Sequence, residues 1–290
     1  MKWQGRRQSR NVVDRRGRGG AAMRVGGAGG LGLVAIVVIG LFLGVDLTPL
    51  LGGGGLGGGG GTYTTQTGPR ELSDADEQAG EFVAVTLADT EEVWARIFRS
   101  ELGEAYDPAT LVLFSGATNS ACGGASAMTG PFYCPSDEQV YLDTDFFITL
   151  DRQLGASGDF AAAYVIAHEV AHHVQDELGI LTEANALRAR VSEADANAIS
   201  VRIELQADCY SGIWARAAES QLGTLEPGDI AEAMNAAAQI GDDTLQRGAG
   251  GRVRPESFTH GTSEQRQRWF ETGYQTGDLV ACDTFGTDTL

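Results

Sequence analysis

Apolar residues follow three patterns along the chain: one long uncharged run near the N-terminus, two short strand-like runs, and several stripes at helical spacing. No charged residue lies between Gly26 and Val45, and the second half of this run is dense in Leu, Val and Ile. A helix of about twenty residues spans the hydrocarbon core of a membrane. The run therefore predicts a transmembrane helix over residues 26–47. A cleaved secretory signal is the alternative, but its apolar region would usually be shorter.

Three further segments complete the predicted domain organisation. Residues 1–25 form a basic tail, residues 48–71 a glycine-rich flexible linker, and residues 72–290 the folded domain. Residues 1–45 hold eight Lys and Arg residues against one acidic residue, so we expect a cytoplasmic tail and an extracytoplasmic domain. The other residues hold 13 basic and 38 acidic ones, a net charge of −25, which argues against nucleic acid as a partner.

The shorter apolar patterns predict a domain that is mainly α-helical with a small β-sheet, an α+β fold. Alternating apolar and polar residues mark a strand over residues 140–147, which is the candidate to pair with an extended substrate. The predicted elements are helices over residues 73–98 (with a break near 89–90), 158–178, 192–220, 227–240 and 263–274, and strands over 111–114 and 140–147.

The helix over residues 158–178 carries His168, Glu169 and His172 in the pattern H-E-x-x-H. Helical positions i and i+4 differ by about 40° of rotation, so both imidazoles can reach one point. Neutral histidine nitrogens at such a point suit a zinc ion. Glu169 lies about 100° round the helix from His168, which suits a general base acting on water at the metal. The alternative is a pair of histidines on an ordinary helix.

A third ligand is needed, because a catalytic zinc site takes three protein ligands and keeps one position open. Glu204 and Asp208 are four residues apart on the predicted helix over 192–220 and face the same way. We predict Glu204 as the ligand and Asp208 as the acceptor for the free ring N–H of a zinc-bound histidine. Glu193 and Asp195 are weaker candidates near the helix start.

Two more histidines complete the set of four. His260 has two interpretations: a donor to the oxyanion of a tetrahedral intermediate, or a histidine whose partners are structural. His173 is rotated about 100° from His172, which favours a place off the metal.

The four cysteines are expected to form disulfides if the domain lies outside the cytoplasm. Cys122 with Cys134 is the favoured pair, because it would constrain a loop rich in Gly, Ser and Pro. That pairing leaves Cys209 with Cys282, which would tie the C-terminal tail to the core. Either pair could instead remain two thiols.

Several sequence blocks, in order, resemble the putative neutral zinc metallopeptidase family typified by YpfJ. The blocks are residues 2–7 and 11–17, Gly130-Pro131-Phe132-Tyr133-Cys134-Pro135, Val140-Tyr141-Leu142-Asp143, the H-E-x-x-H helix, residues 204–214, and residues 260–266. The resemblance implies a membrane-anchored zinc peptidase of gluzincin type with two histidines and a glutamate on the metal. The E-x-x-x-D arrangement is also similar to that of HtpX-like membrane peptidases, which supports Glu204 as ligand and Asp208 as its neighbour. No defined substrate is implied.

The predicted function is therefore zinc-dependent hydrolysis of peptide bonds with Glu169 as general base. The main alternative is a tethered binding or scaffolding protein whose zinc site is vestigial or structural. In a structural site a fourth protein ligand would close the open position, and His173 or Asp208 could supply it. A metal-dependent hydrolase acting on non-peptide amides is a third possibility.

Overall fold

The structure is a computed structural model that describes residues 1–17, 71–126 and 130–290. The predicted transmembrane helix over 26–47 lies outside the described residues, as does nearly all of the predicted linker. Among the residues that are described, no helix is both long enough and apolar enough to cross a membrane. The described part confirms a mainly helical fold with small sheets.

The helices follow the predicted order closely. They are α1 (Asp74–Ile97), α2 (Asp145–Arg152), α3 (Asp159–Glu177), α4 (Ile180–Arg188), α5 (Glu193–Ser220), α6 (Asp229–Gln239), α7 (Asp242–Gly248) and α8 (Ser263–Thr276). A π-helical turn (Phe98–Leu102) extends α1, and 3₁₀ turns cover Pro255–Ser257 and Val280–Cys282. The break predicted near 89–90 is absent from α1, since Asp89 and Thr90 are buried inside the continuous helix. Helices α2, α4 and α7 are absent from the sequence prediction.

Two sheets are formed by six short strands. The strands are β1 (Val12–Asp14), β2 (Thr110–Phe114), β3 (Ala117–Ser120), β4 (Gly123–Ser126), β5 (Phe132–Cys134) and β6 (Gln139–Asp143). The larger sheet has the order β1-β2-β6-β5, with β2 parallel to both β1 and β6, and β5 antiparallel to β6. Strands β3 and β4 form a separate antiparallel hairpin.

The strand predicted over residues 140–147 differs from the structure in two ways: it ends at residue 143, and it lies inside the sheet rather than at its edge. Strand β6 ends at Asp143, whose carboxylate accepts hydrogen bonds from the backbone N–H groups of Asp145 and Gly116, both at 2.9 Å. These bonds turn the chain into α2 instead of extending the strand. Because β6 lies between β2 and β5, it is not an edge strand of this sheet, which argues against its predicted pairing with a substrate strand.

Helix α3 lies in the middle of the domain and is buried on nearly every side. It packs between α5, α6 and α1. Phe160 stacks on Trp214 of α5 with ring centroids 5.5 Å apart, and Tyr164 meets Phe270 of α8 edge-on at the same distance. A helix that is apolar on all sides belongs in a core, so its histidines are held in fixed surroundings.

Residues 1–17 belong to the same folded unit, which differs from the predicted separate tail. Strand β1 pairs with β2, Trp3 packs edge-on against Phe82 with ring centroids 5.6 Å apart, and Arg6 forms an ion pair with buried Asp89. Arg16 is buried and bonds Asp14 at 2.7 Å. Residues 18–70 therefore join two parts of one unit.

Both predicted disulfides are present. Cys122, in the turn between β3 and β4, is joined to Cys134 at the end of β5, with Cα atoms 5.8 Å apart. Cys209 and Cys282 are joined with Cα atoms 5.6 Å apart, and this bond fixes the C-terminal tail to α5.

Candidate metal centre

The register of α3 and α5 is set at their first residues. Ser192 caps α5 by accepting a hydrogen bond from the backbone N–H of Asp195 at 3.3 Å. Gly158 precedes α3 with a φ of 110°, and Glu232 of α6 accepts a bond from the backbone N–H of Phe160 at 3.1 Å. The positive φ favours glycine at residue 158, and a Cβ there would also overlap the Glu232 carboxylate. Each helix thus starts at a defined residue, and the side chains ten or more residues later face each other.

The structure brings His168, His172 and Glu204 together. One ligand atom from each of the three residues lies within 4.8 Å of the other two. His168 Nε2 is 3.1 Å from Glu204 Oε2, and His172 Nε2 is 3.5 Å from Glu204 Oε1. The two rings are nearly perpendicular, at 87°, with centroids 4.8 Å apart. The three predicted ligands therefore converge on one point between α3 and α5.

This donor set fits zinc. Two imidazole nitrogens and one carboxylate make up a common ligand set of catalytic zinc sites. Ligand atoms at about 2.0–2.2 Å from a tetrahedral metal lie about 3.3–3.6 Å from one another. The two nitrogen-to-oxygen distances are close to that range. We conclude that these residues could hold a zinc ion with little rearrangement.

Asp208 fixes His168 from the side opposite the donor set. Its Oδ1 lies 2.8 Å from His168 Nδ1, so that nitrogen donates to the carboxylate and Nε2 faces Glu204. Asp208 is fully buried and also accepts bonds from Arg266 Nε at 2.8 Å, Arg266 Nη2 at 2.9 Å and Tyr164 Oη at 2.5 Å. Burial alone would raise the pKa of Asp208, but Arg266 and His168 hold it below its usual value.

The other two ligands are also shifted by their surroundings. Burial lowers the pKa of His172, but the charge of Glu204 outweighs it, so the net shift is upward. Burial would raise the pKa of Glu204, yet His260, His172 and His168 hold it well below its usual range. In the metal-free protein the glutamate is therefore ionised, as a metal ligand must be.

Glu169 lies beside the donor set and outside it. It is 8% exposed, and burial raises its pKa, while His172 and His168 act in the opposite direction. The structure thus places the predicted general base next to the ligands and largely away from solvent.

The remaining candidate ligands lie elsewhere. Glu193 and Asp195 are exposed in the first turn of α5, where Asp195 takes part in the helix cap. His173 is buried, with Nε2 2.7 Å from the backbone oxygen of Asp107 and Nδ1 3.2 Å from Tyr133 Oη. The carboxylate of Asp208 accepts hydrogen bonds from His168, Tyr164 and Arg266. Neither His173 nor Asp208 supplies a fourth ligand.

His260 lies in a loop that is shaped by Asp242 of α7. Asp242 Oδ2 accepts the backbone N–H groups of Thr259, His260 and Gly261 at 2.8, 2.7 and 3.0 Å. His260 Nδ1 is 3.4 Å from Asp242 Oδ1. His260 is also one of the groups that hold the pKa of Glu204 below its usual range.

Three residues around the centre were missed from the sequence: Arg266, Tyr164 and Gln175. Gln175 Oε1 is 2.8 Å from His172 Nδ1. The two residues are three apart on one helix, and this spacing could have predicted their contact. Tyr164 is four residues before His168, and that helical spacing could likewise have predicted that the two side chains lie close together. Arg266 comes from α8, and helical spacing gives no clue to a partner on another helix.

Comparisons with known proteins agree with this geometry. The family described as "Putative neutral zinc metallopeptidase" matches residues 1–285. An Escherichia coli protein named "Uncharacterized protein YpfJ" is 45% identical over 293 residues, covering 99% of both chains. A Mycobacterium tuberculosis protein named "Uncharacterized protein Rv2575" is 48% identical over 188 residues, covering 61% of this chain and 62% of the relative. No solved structure matches. The chain therefore belongs to the putative neutral zinc metallopeptidase family.

Proposed function

We propose that the chain is a zinc-dependent peptidase that holds its metal with His168, His172 and Glu204. The convergence of these donors from α3 and α5 carries the proposal. It is supported by the acceptors on both Nδ1 atoms, Asp208 and Gln175, which leave each Nε2 available to a metal. A zinc ion bound there would lower the pKa of water and polarise a carbonyl group.

Glu169 acts as the general base in this proposal. Its carboxylate follows His168 directly on α3 and borders the donor set, so it can reach water between the metal site and a substrate carbonyl. The carboxylate would take a proton from the attacking water and pass it to the nitrogen of the leaving amine. His260 would donate a hydrogen bond to the developing oxyanion, with Asp242 holding its loop in place.

An extended peptide is the substrate class that we propose. In the larger sheet β5 is an outer strand, while β6 is paired on both sides. Strand β5 packs beside α3, and its Tyr133 donates to Asp176 of that helix at 2.8 Å. The outer edge of β5 could therefore pair with a substrate strand near the metal centre. This replaces β6 as the candidate for that role.

A structural zinc site is the less well supported alternative. Such a site would be closed by a fourth protein ligand, and both candidates for that ligand are bonded elsewhere. A binding protein with a vestigial site would have no need for a buried carboxylate next to the donor set. Hydrolysis of non-peptide amides would use the same residues, so the substrate assay has to include them.

Glu169→Gln tests the mechanism, with Glu177→Gln as the matched control on an exposed position of the same helix. Zinc content after dialysis and cleavage of unfolded polypeptides and small amides are measured for each protein. We expect Glu169→Gln to keep stoichiometric zinc and to lose about 10²–10⁴-fold in rate, because proton transfer is removed. The control should match the wild type. Cleavage by Glu169→Gln at the wild-type rate would rule out the assigned base, and a wild type without zinc affinity would rule out the site.

We also propose that the domain works outside the cytoplasm, with residues 1–17 on the same side. Two disulfides support an oxidising compartment, and the packing of β1 and Trp3 on the domain supports a shared side. Labelling intact cells with a membrane-impermeant thiol reagent tests this through single cysteines at the exposed positions Gln8 and Glu271. Both should label. Protection of Gln8→Cys until the cells are permeabilised would instead support a single crossing with a cytoplasmic N-terminus.

A further inference from the structure

Two buried glutamine side chains connect His172 to the C-terminal tail. Gln175 Oε1 lies 2.8 Å from His172 Nδ1. Gln175 Nε2 donates to Gln206 Oε1 at 2.9 Å, and Gln206 Nε2 donates to the backbone oxygen of Cys282 at 3.1 Å. Gln175 is 0% exposed and Gln206 is 4% exposed, so water does not compete for these bonds. We call these two side chains the amide chain.

Backbone carbonyl groups fix the direction of every bond in the amide chain. Gln175 Nε2 also donates to the backbone oxygen of Ile203 at 2.8 Å. The backbone oxygens of Ile203 and Cys282 can only accept, so each amide must turn its NH₂ group toward them. Gln175 Oε1 consequently faces His172, and His172 must carry its ring proton on Nδ1. Nε2 is then directed at the donor set, where it lies 3.5 Å from Glu204 Oε1.

The far end of the amide chain is held by a covalent bond. Cys282 is joined to Cys209, the residue after Asp208 on α5. The tail beyond Cys282 is fastened to α5 as well: Thr284 Oγ1 donates to the backbone oxygen of Arg202 at 2.7 Å, and Arg202 Nη1 donates to that of Thr287 at 2.9 Å. The carbonyl group that orients Gln206 therefore has a fixed position as long as the tail stays docked.

We propose that Gln175 and Gln206 are positioning residues of the metal site, and that the Cys209–Cys282 disulfide anchors them, so that zinc affinity depends on the docked C-terminal tail. The inference rests on the proposed zinc site and goes beyond it. His168 and His172 are thereby oriented by different means: a buried carboxylate for one, and a neutral amide chain that ends at a disulfide for the other.

The first test removes the amide chain and keeps the disulfide. Gln175→Leu and Gln206→Met are compared with Ser211→Ala, a buried polar position of α5 that bonds only the helix backbone at Ala207 in this structure. The zinc dissociation constant of the full-length chain is measured by competition with a chelator. Loss of a partner of a metal-bound histidine typically weakens binding about 10–100-fold. We expect about 10-fold or more for Gln175→Leu, a smaller loss for Gln206→Met, and no change for Ser211→Ala.

The second test removes the anchor and uses the other disulfide as the control. Cys209→Ala/Cys282→Ala should weaken zinc binding by about as much as Gln206→Met. Cys122→Ala/Cys134→Ala also lacks one disulfide, but that bond does not contact the amide chain, and its zinc affinity should equal that of the wild type. Melting curves with and without zinc show whether each variant is folded, and the zinc-induced rise in melting temperature should shrink only for the first pair.

The outcomes separate this inference from the proposed function. If the wild type binds zinc and all three variants of the amide chain and its anchor bind it equally well, the inference is overturned and the proposed function stands. Equal losses in the two disulfide variants would also overturn it, because a general loss of stability would then explain the effect. If the wild type binds no zinc, both proposals fall.

Discussion

Replacing Asp208 with asparagine separates the stability of the fold from the affinity of the metal site. Asp208 accepts four hydrogen bonds, from His168, Tyr164 and both Arg266 nitrogens Nε and Nη2. Asparagine keeps one oxygen but replaces the other with an NH₂ group. That group is a donor, and it would face the N–H or O–H donors that now bond the carboxylate. Arg266 is 2% exposed, and its charge loses its carboxylate partner. Breaking a buried ion pair on one side costs about 3–5 kcal/mol.

We therefore expect Asp208→Asn to lower the free energy of unfolding of the metal-free protein by about 3–5 kcal/mol and zinc affinity by about 10–100-fold. The double variant Asp208→Asn/Arg266→Met removes the unpaired charge. It should regain most of the lost stability and keep the weakened zinc binding, because His168 Nδ1 still lacks the carboxylate. Urea unfolding without metal and chelator competition measure the two quantities. The reasoning is refuted if the double variant is no more stable than the single one, or if Asp208→Asn binds zinc like the wild type.

Two further predictions concern the packing of α8 and the loop that carries His260. Gly273→Ala should destabilise the domain by about 1–3 kcal/mol in urea unfolding, because the new Cβ would lie 1.8 Å from the backbone oxygen of Cys209. Gly248→Ala in α7 is the control: nothing lies within 4 Å of its Cβ, so a loss there would show that any added methyl group is harmful. Burial raises the pKa of Asp242, but His260 and the backbone N–H groups around it outweigh burial, so the net shift of the pKa is downward. A depressed carboxyl pKa stabilises the fold above the unfolded value and loses that effect as pH falls through the folded value. Unfolding midpoints of the wild type and Asp242→Asn should therefore differ at pH 6 and converge as the pH falls through the lowered pKa of Asp242; a constant difference would contradict this.

Much of the metal centre follows from helical spacing. Ser192 begins α5 as predicted, and from that start Glu204 and Asp208 lie on one face, four residues apart. His168 and His172 follow the same rule on α3. Two helices with defined starts thus bring the residues together once they pack. The cysteine pairs were also predictable, because a short loop favoured one pair and only one other remained.

Other features depend on contacts between distant parts of the chain. The N-terminal residues look like a basic tail by composition, but Arg6 and Arg16 are matched by Asp89 and Asp14 in the folded unit. Charge counts cannot show such pairing. Strand β6 ends at Asp143 because its carboxylate bonds two backbone N–H groups, one of them at Gly116 from another loop. Apolar alternation alone continues past that point, which explains the wrong strand end.

Because the two histidines are buried, each needs a hydrogen-bond acceptor, and these acceptors place requirements on residues elsewhere in the domain. Because α3 is buried on nearly every side, an unpaired ring N–H there would cost about 1–3 kcal/mol, so each Nδ1 needs an acceptor. For His172 a neutral amide on the same helix is enough. For His168 the acceptor is a carboxylate, and a carboxylate that is 0% exposed needs a cation, which Arg266 of α8 supplies. Arg266 reaches it because Gly212 and Gly273 let the backbones of α5 and α8 approach closely. A buried aspartate at residue 208 of α5 therefore requires two features of α8, more than fifty residues later: the charge of Arg266 and the close backbone contact at Gly273.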